Sequence, residues 1–396
     1  MAVEFGISEL WDPAVRRDPH RFYDRVRDSG GPVLQVDPAG NRLWVVAGHA
    51  DVLAGLRHPA IGHEVHRRSP GMRQPAPQPL SEVARIEARQ LINLDPPDHT
   101  RLRGLVSSSF TARAVARLEP WITDLADRLV AQARAQGHLD GVRDLADPVP
   151  VNVIAELVGI PEPDRPRFRA WSAAIVSASI EGSTATVEFA AYLDELAAQR
   201  RACPADDLIS QLVALAERGD PLDRDELVAL VQLLLVAGQE TTVDLIVNGI
   251  RLLLTHPEQW QALRDDPSLA AAVVEETLRY RGPVEIVPPR FAFQDIEMVG
   301  GRIPAFDRVG LSLWGANRDP GVFERPHEFD IHRTDVRKHI AFGHGIHFCL
   351  GAHLARLESR IMFERIARQL PGLRLAVDSA DLDGFRLHQH GLPLLV

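Results

Sequence analysis

Apolar residues recur every three to four positions along most of this chain, the spacing of a helix that buries one face. The period predicts helices over 50–57, 97–109, 112–136, 148–158, 164–178, 185–201, 206–217, 224–255, 257–264, 268–280 and 350–369. The two-residue alternation of a half-buried strand is confined to short pieces near 32–36, 42–47, 290–293 and 309–312 and near the C-terminus. Two helix starts are marked by polar residues. Asp95-Pro96-Pro97-Asp98 sets a capping residue and prolines at one opening, and Leu222-Asp223 precedes the longest helix. Stretches 60–92 and 178–186 carry neither period and read as irregular. The first holds Pro70, Gly71, Pro75, Pro77 and Pro79, too many breaks for a regular element. The pattern is that of a mainly α protein with a small β region.

At 396 residues, 45% hydrophobic and 25% charged, the chain can bury a large core. No Pro/Gly/Ser-rich linker, repeat or low-complexity block divides it, so one domain over 1–396 is expected. Cys203 and Cys349 are too few for a disulfide framework, and Cys203, in a polar break between helices, reads as a partly exposed free thiol. The N-terminus lacks the basic flank and apolar core of a signal peptide. The strongest apolar run, Leu227 to Gly238, is broken by Gln232 and is too short to cross a bilayer, which points to a cytoplasmic protein. A net charge of −10 argues against nucleic acid as a partner. Lys338 is the only lysine.

The chemistry concentrates in Phe342-Gly343-His344-Gly345-Ile346-His347-Phe348-Cys349-Leu350-Gly351. Glycines at 343, 345 and 351 allow close approaches that a side chain forbids, which suits a loop presenting one sulfur to something flat and bulky. A helix opening at about Leu350 would turn amide donors and a positive dipole end towards that sulfur and favour thiolate. One thiolate cannot make a structural zinc site, but it can be the axial ligand of a haem iron.

Phe342, Gly345, His347, Cys349 and Gly351 together resemble the cysteine-loop signature of the cytochrome P-450 monooxygenases. The likeness runs from about Asp12 to the C-terminus, and three further stretches carry it. Ala237-Gly238-Gln239-Glu240-Thr241-Thr242 puts an acid beside a threonine inside an apolar helix, where burying a carboxylate is costly unless it is solvated or paired. A threonine hydroxyl can bond an upstream carbonyl and bend the helix, with the small Gly238 easing the distortion. The stretch resembles the family's oxygen-activation motif, implying Glu240 as the acid of a proton relay and Thr241 as its hydroxyl partner, with Ala237 beside the haem. Glu276-Thr277-Leu278-Arg279 resembles the family's buried ion pair, a structural brace for the cysteine loop. His99, Arg103, Arg290 and His347 match the family's haem-propionate positions, and guanidinium forks suit carboxylates. One departure is Phe306, where the family usually keeps a turn glycine.

The resemblance implies a single-domain P-450 fold, a triangular prism with haem between the long central helix and the cysteine-loop helix. It implies one haem b (iron protoporphyrin IX) per chain, with Cys349 on the metal and Phe342 and Gly351 around it. Leu91, Ile92, Leu233, Val236, Ile286 and Val287 would line the substrate pocket, so a mainly apolar molecule is expected. Segments 60–92 and 163–200 would cover that pocket. The tip His388-Gln389-His390 and Glu285 could add polar contacts, although Glu285 is better read as an arginine's partner. No flavin or iron–sulfur module is fused on. Arg333, Arg337, Lys338, Arg356 and Arg360, with Arg113 and Arg117, would then dock an acidic ferredoxin or flavodoxin that relays electrons from NAD(P)H through its reductase. The implied reaction is insertion of one oxygen atom from O2, by hydroxylation or epoxidation, in bacterial secondary metabolism. The alternatives are a peroxide-driven peroxygenase and a catalytically silent haem-thiolate binding protein.

Overall fold

The structure is a computed structural model and describes residues 5–64, 80–177, 180–218, 222–288, 290–378, 382 and 391–396. Among these, the helices are α1 Pro13–Arg17, α2 His20–Asp28, α3 His49–Arg57, α4 Glu82–Ala88, α5 Asp98–Ser107, α6 Ala112–Ala116, α7 Glu119–Gln136, α8 Pro148–Val158, α9 Arg165–Val176, α10 Ile180–Ala202, α11 Leu208–Glu217, α12 Arg224–Thr255, α13 Pro257–Asp265, α14 Ala270–Arg281, α15 Leu313–Ala316 and α16 Ala352–Gln369. The strands are β1 Val33–Val36, β2 Arg42–Val46, β3 Ile61–Gly62, β4 His138–Asp140, β5 Arg290–Ala292, β6 Ile296–Met298, β7 Gly301–Ile303, β8 Arg308–Leu311, β9 Arg374–Leu375 and β10 Pro393–Leu395. They form a five-stranded sheet in the order β1-β2-β8-β5-β3, a three-stranded sheet β4-β10-β9 and the hairpin β6-β7. Among the described residues, only β2 and β8 pair in parallel. The mainly α expectation holds.

The central helix α12 opens on a full capping box. Asp223 accepts from the Glu226 N–H, and Glu226 accepts from the Asp223 N–H. It packs against α8, α14, α16 and α13. Its second half meets α7 and α16 in a cluster holding Val130, Ile246, Ile250, Phe363 and Ile366. Its first half carries α9, α10 and α11 through Phe168, Phe189, Leu193, Leu212 and Val228. By length and composition α12 is apolar enough to cross a membrane, contrary to the reading of the shorter run, yet half of its most apolar window is buried inside the protein. It is a core helix here.

Three boundaries differ from the periodicity. The segment 112–136 is two helices, because Pro120 stands in the first turn of α7 and cannot extend α6. Within 178–186, α10 already begins at Ile180, and burial of Phe189, Leu193 and Leu196 overrides the weak helix formers Gly182, Ser183 and Thr184. Within 60–92 the described part contains β3 and α4, the latter capped by Ser81; residues 65–79 lie outside the described residues. The tip His388-Gln389-His390 also lies outside them.

Candidate active site

The loop before α16 turns on two glycines in the left-handed region, Gly343 (φ 70°) and Gly345 (φ 76°). The Cys349 N–H donates to the Phe342 carbonyl at 2.9 Å, closing the loop, and Gly343 N–H donates to the Ile340 carbonyl at 2.8 Å. Helix α16 begins at Ala352, with Gly351 at its cap. The expected preference for thiolate does not follow from this setting alone. Burial pushes the Cys349 thiol up, and the Gly351 N–H, Arg103 and Arg356 pull the other way without overcoming it. A metal cation at the sulfur reverses that balance, because a coordinating thiol gives up its proton.

Behind the loop lies the buried pair. Arg279 Nη2 and Nε meet the two carboxylate oxygens of Glu276 at 2.7 Å each, and both residues are fully enclosed. Arg279 also donates to the carbonyls of Asn317, Pro326 and Glu328. Asn317 Oδ1 in turn accepts from the Ile340 N–H at 2.7 Å, so the brace reaches the root of the loop. Arg333 belongs to this brace. Its Nε lies 3.3 Å from Glu276 Oε1 and its side chain is buried, which removes it from any docking face. The next acid, Glu275, faces the other way and accepts from Arg356 at 2.6 and 3.0 Å and from His339 at 2.9 Å. Arg356 lies over the Phe342 ring at 4.5 Å. The motif drew attention to Glu276 and not to Glu275; the only sequence signal was two adjacent acids on one helix.

Next to the cysteine, donors gather without partners. The His99 and His347 rings lie 4.2 Å apart between centroids, and His63 lies 5.0 Å from His347. Both ring nitrogens of His99, Nε2 of His347 and Nε of Arg290 are buried with no hydrogen-bond partner among the described residues. Burial chiefly, then the neighbouring arginines and imidazoles, lowers His347 to about 2 and His63 to about 4. Burial also lowers Arg103 and Arg290. Arg103 Nη2 reaches the Phe348 carbonyl at 2.6 Å, joining α5 to the cysteine loop. Buried donors left open in this way are costly, and so many of potentially one sign call for an anion.

On α12 the Thr241 hydroxyl donates to the Ala237 carbonyl at 2.7 Å, the bond expected of it. The helix runs unbroken through it, and the space at Gly238 is taken by Ile154, whose Cδ1 lies 2.8 Å from where a Cβ would stand. Ala237 is exposed, and Leu233, Val236, Glu240 and Thr241 are half-buried, so this stretch of a core helix keeps an open apolar flank. Leu91, Leu233 and Val236 pack in the cluster shared with the covering helices α9 and α10. Ile92 stands beside Leu91 in the turn Leu91–Asn93. Ile286 and Val287 lie elsewhere. Ile286 packs against the N-terminal cluster around Phe22 and Tyr23, and Val287 is buried under the five-stranded sheet. Glu285 is held by Arg16 at 2.8 and 2.6 Å and by the Tyr23 hydroxyl at 2.6 Å, the arginine pairing expected.

The chain matches the family model for cytochrome P-450 over residues 182–370. It is 41% identical over 370 residues to cytochrome P-450 monooxygenase PikC of Streptomyces venezuelae, covering 92% of this chain and 87% of the relative. It is also 41% identical over 377 residues to vitamin D(3) 25-hydroxylase of Pseudonocardia autotrophica, covering 94% and 92%. The chain belongs to the cytochrome P-450 family. A solved myxobacterial P-450, CYP267B1 in complex with myristic acid, superposes with a TM-score of 0.86 at 38% identity over 98% of both chains. This P-450 is accordingly a monooxygenase of the bacterial kind, an enzyme that works with haem, O2, a substrate and a redox partner.

The residues present fit that cofactor. Haem carries two carboxylates on an apolar plate beside its iron. The structure sets buried imidazole nitrogens and the Arg290 Nε, all without hydrogen-bond partners among the described residues, beside one half-buried cysteine, with an apolar flank on the central helix. Asp95, read as a helix cap, does something else: its Oδ2 accepts from the His63 and Glu64 N–H groups at 3.0 and 2.8 Å.

Proposed function

We propose that this P-450 holds one haem b per chain on Cys349 and inserts one oxygen atom from O2 into a C–H or C=C bond of a mainly apolar small molecule. When bound, haem supplies the oxygen chemistry, using electrons brought from outside. The rest falls to the chain's own groups. His99, Arg103, Arg290 and His347 would hold the propionates through charge-assisted bonds, among them ones to the open nitrogens of His99, His347 and Arg290. Phe342 and Gly351 shape the loop around the sulfur, and Ala237 leaves room on the opposite side. Thr241 Oγ1 donates a hydrogen bond to the Ala237 carbonyl, which leaves its lone pairs free to accept a hydrogen bond and so position a proton donor, while Glu240 delivers protons from the solvent side. Glu276 and Arg279 hold the loop in place. Leu91, Leu233 and Val236 exclude water on the substrate side. The apolar lining, and myristic acid in one solved relative, support a largely hydrocarbon substrate.

Electrons come from NAD(P)H through a ferredoxin or flavodoxin and its reductase. Arg113, Arg337 and Lys338 are exposed and suit an acidic partner; Arg117 is exposed but pairs with Asp206 at 3.4 Å, and Arg356 and Arg360 are each held by acids of this chain. One catalytic domain over 1–396, working in the cytoplasm, completes the reading.

The observation that carries it is the set of buried, unpartnered nitrogens beside a single half-buried cysteine. The test is to titrate the ferric protein with a panel of apolar natural products and follow the Soret band. A shift to high spin supports the pocket and names a substrate class, whereas no Soret band from haem-replete cultures sinks the reading. Cys349→Ala should abolish the thiolate-type spectrum, and a variant that kept it would refute the ligand assignment. Turnover with peroxide set against turnover with ferredoxin and reductase separates this enzyme from a peroxygenase.

A further inference from the structure

His63 stands just past β3, outside every motif of the cysteine loop or the helices. Its placement is built with care. Asp95 Oδ2 takes the N–H groups of His63 and Glu64 at 3.0 and 2.8 Å, and Glu64 Oε2 takes the Asp95 N–H at 2.8 Å. Position 62 must be glycine for this clasp, because a Cβ there would stand 2.5 Å from Asp95 Oδ1. Asp95 leads directly into α5, and its carbonyl accepts from the His99 N–H at 3.1 Å. One acid therefore fixes His63 and His99 relative to each other.

The three rings form a row. His63 meets His347 edge to face at 71°, with centroids 5.0 Å apart, and His347 meets His99 at 4.2 Å. Arg290 acts electrostatically on all three imidazoles. Asp95 is the acid that acts on His63, His99 and Arg290, and its Oδ2 is already committed to backbone donors. Three imidazoles, each able to donate an N–H, beside two arginine cations offer more donors than a single carboxylate can take, which fits a ligand with two.

We infer that His63 is a fifth propionate-binding residue of this P-450, donating to a haem propionate alongside His99, Arg103, Arg290 and His347, and that Asp95 and Glu64 are its positioning pair. The inference rests on the haem reading above. It assigns to the β3 end a share of cofactor retention and leaves the sulfur's electronics to the cysteine loop.

The test measures transfer of haem from the ferric protein to excess apomyoglobin, for haem and for its dimethyl ester, which lacks the propionate charges. His63→Ala should lose haem roughly tenfold faster than wild type, the scale of one hydrogen bond to a charged group. The two proteins should release the dimethyl ester at nearly equal rates, and the ferrous-CO Soret position should not move. His63→Gln keeps an N–H donor and should recover part of the retention; it also serves if the alanine variant folds poorly. Release of haem at the wild-type rate by both variants would overturn the inference while leaving the haem reading intact. Equal acceleration for haem and ester would overturn it too, marking His63 as a packing residue. If wild type released haem and ester alike, the inference would fall together with the propionate assignment.

Discussion

Phe306 occupies the left-handed region at φ 71°, in the turn between β7 and β8, and is 40% exposed. A side chain there strains the backbone, and this is where the family usually keeps glycine. Phe306→Gly should raise the unfolding free energy by about 1 kcal/mol, read from the urea midpoint; an unchanged or lower midpoint would mean the ring contributes more than the strain costs. Thr241 makes a separate prediction. Thr241→Ala should bind haem normally and divert electrons to peroxide, and equal coupling of electrons to product in both proteins would remove its proposed role. Glu275 gives a pH dependence. Burial works to raise its carboxyl, but hydrogen bonds from His339 and Arg356 bring it down to about 2, against 4.5 for an ordinary glutamate. A depressed folded value stabilises fully above the ordinary one and fades as pH falls through the folded one. Wild type should therefore exceed Glu275→Gln in stability by on the order of 3 kcal/mol at neutral pH. The gap should hold down to pH 4.5 and close towards pH 2. Denaturant midpoints across that range check it, and a gap that stayed open would point to packing.

At the scale of elements, α14 and α12 carry the architecture of the site. Arg279 on α14 bonds Glu276 and three loop carbonyls while fully buried, so Arg279→Ala takes the bidentate partner from a buried carboxylate and leaves three acceptors open. It should cost about 3–5 kcal/mol and release haem, seen as a lower melting temperature and a lost Soret band. Asp223→Ala removes only one cap of α12 and should cost about 1 kcal/mol with haem retained. These elements were largely legible beforehand. The predicted 148–158, 224–255 and 112–136 stretches correspond to helices, the last divided by Pro120. The short strands β3, β4, β6 and β7 were not, because two or three residues cannot show an alternation and are held by their partners. Asp95 was read as a cap from its place before a helix, yet its carboxylate bonds a strand end that no local pattern could reveal.

For the whole molecule, the net charge of −10 makes local exposed cations matter. Charge reversal at Arg113 and Arg337 together should slow ferredoxin-driven reduction and flatten its salt dependence, while dithionite reduction stays unchanged. Equal slowing by both reductants would instead indicate a damaged haem site. Arg333 cannot share in docking, since folding buries it beside Glu276. The sequence by itself determined the helical class, the cysteine loop, the acid–threonine pair and the ion-pair motif, because these depend on residue type at short, fixed spacing. Tertiary structure alone decided that Ile286 turns to the N-terminal cluster, that Glu275 joins α14 to α16, and that His63 lies in a row with His99 and His347. Those outcomes depend on which distant segments pack together and on what burial does to each charge, and residue spacing along a chain contains neither.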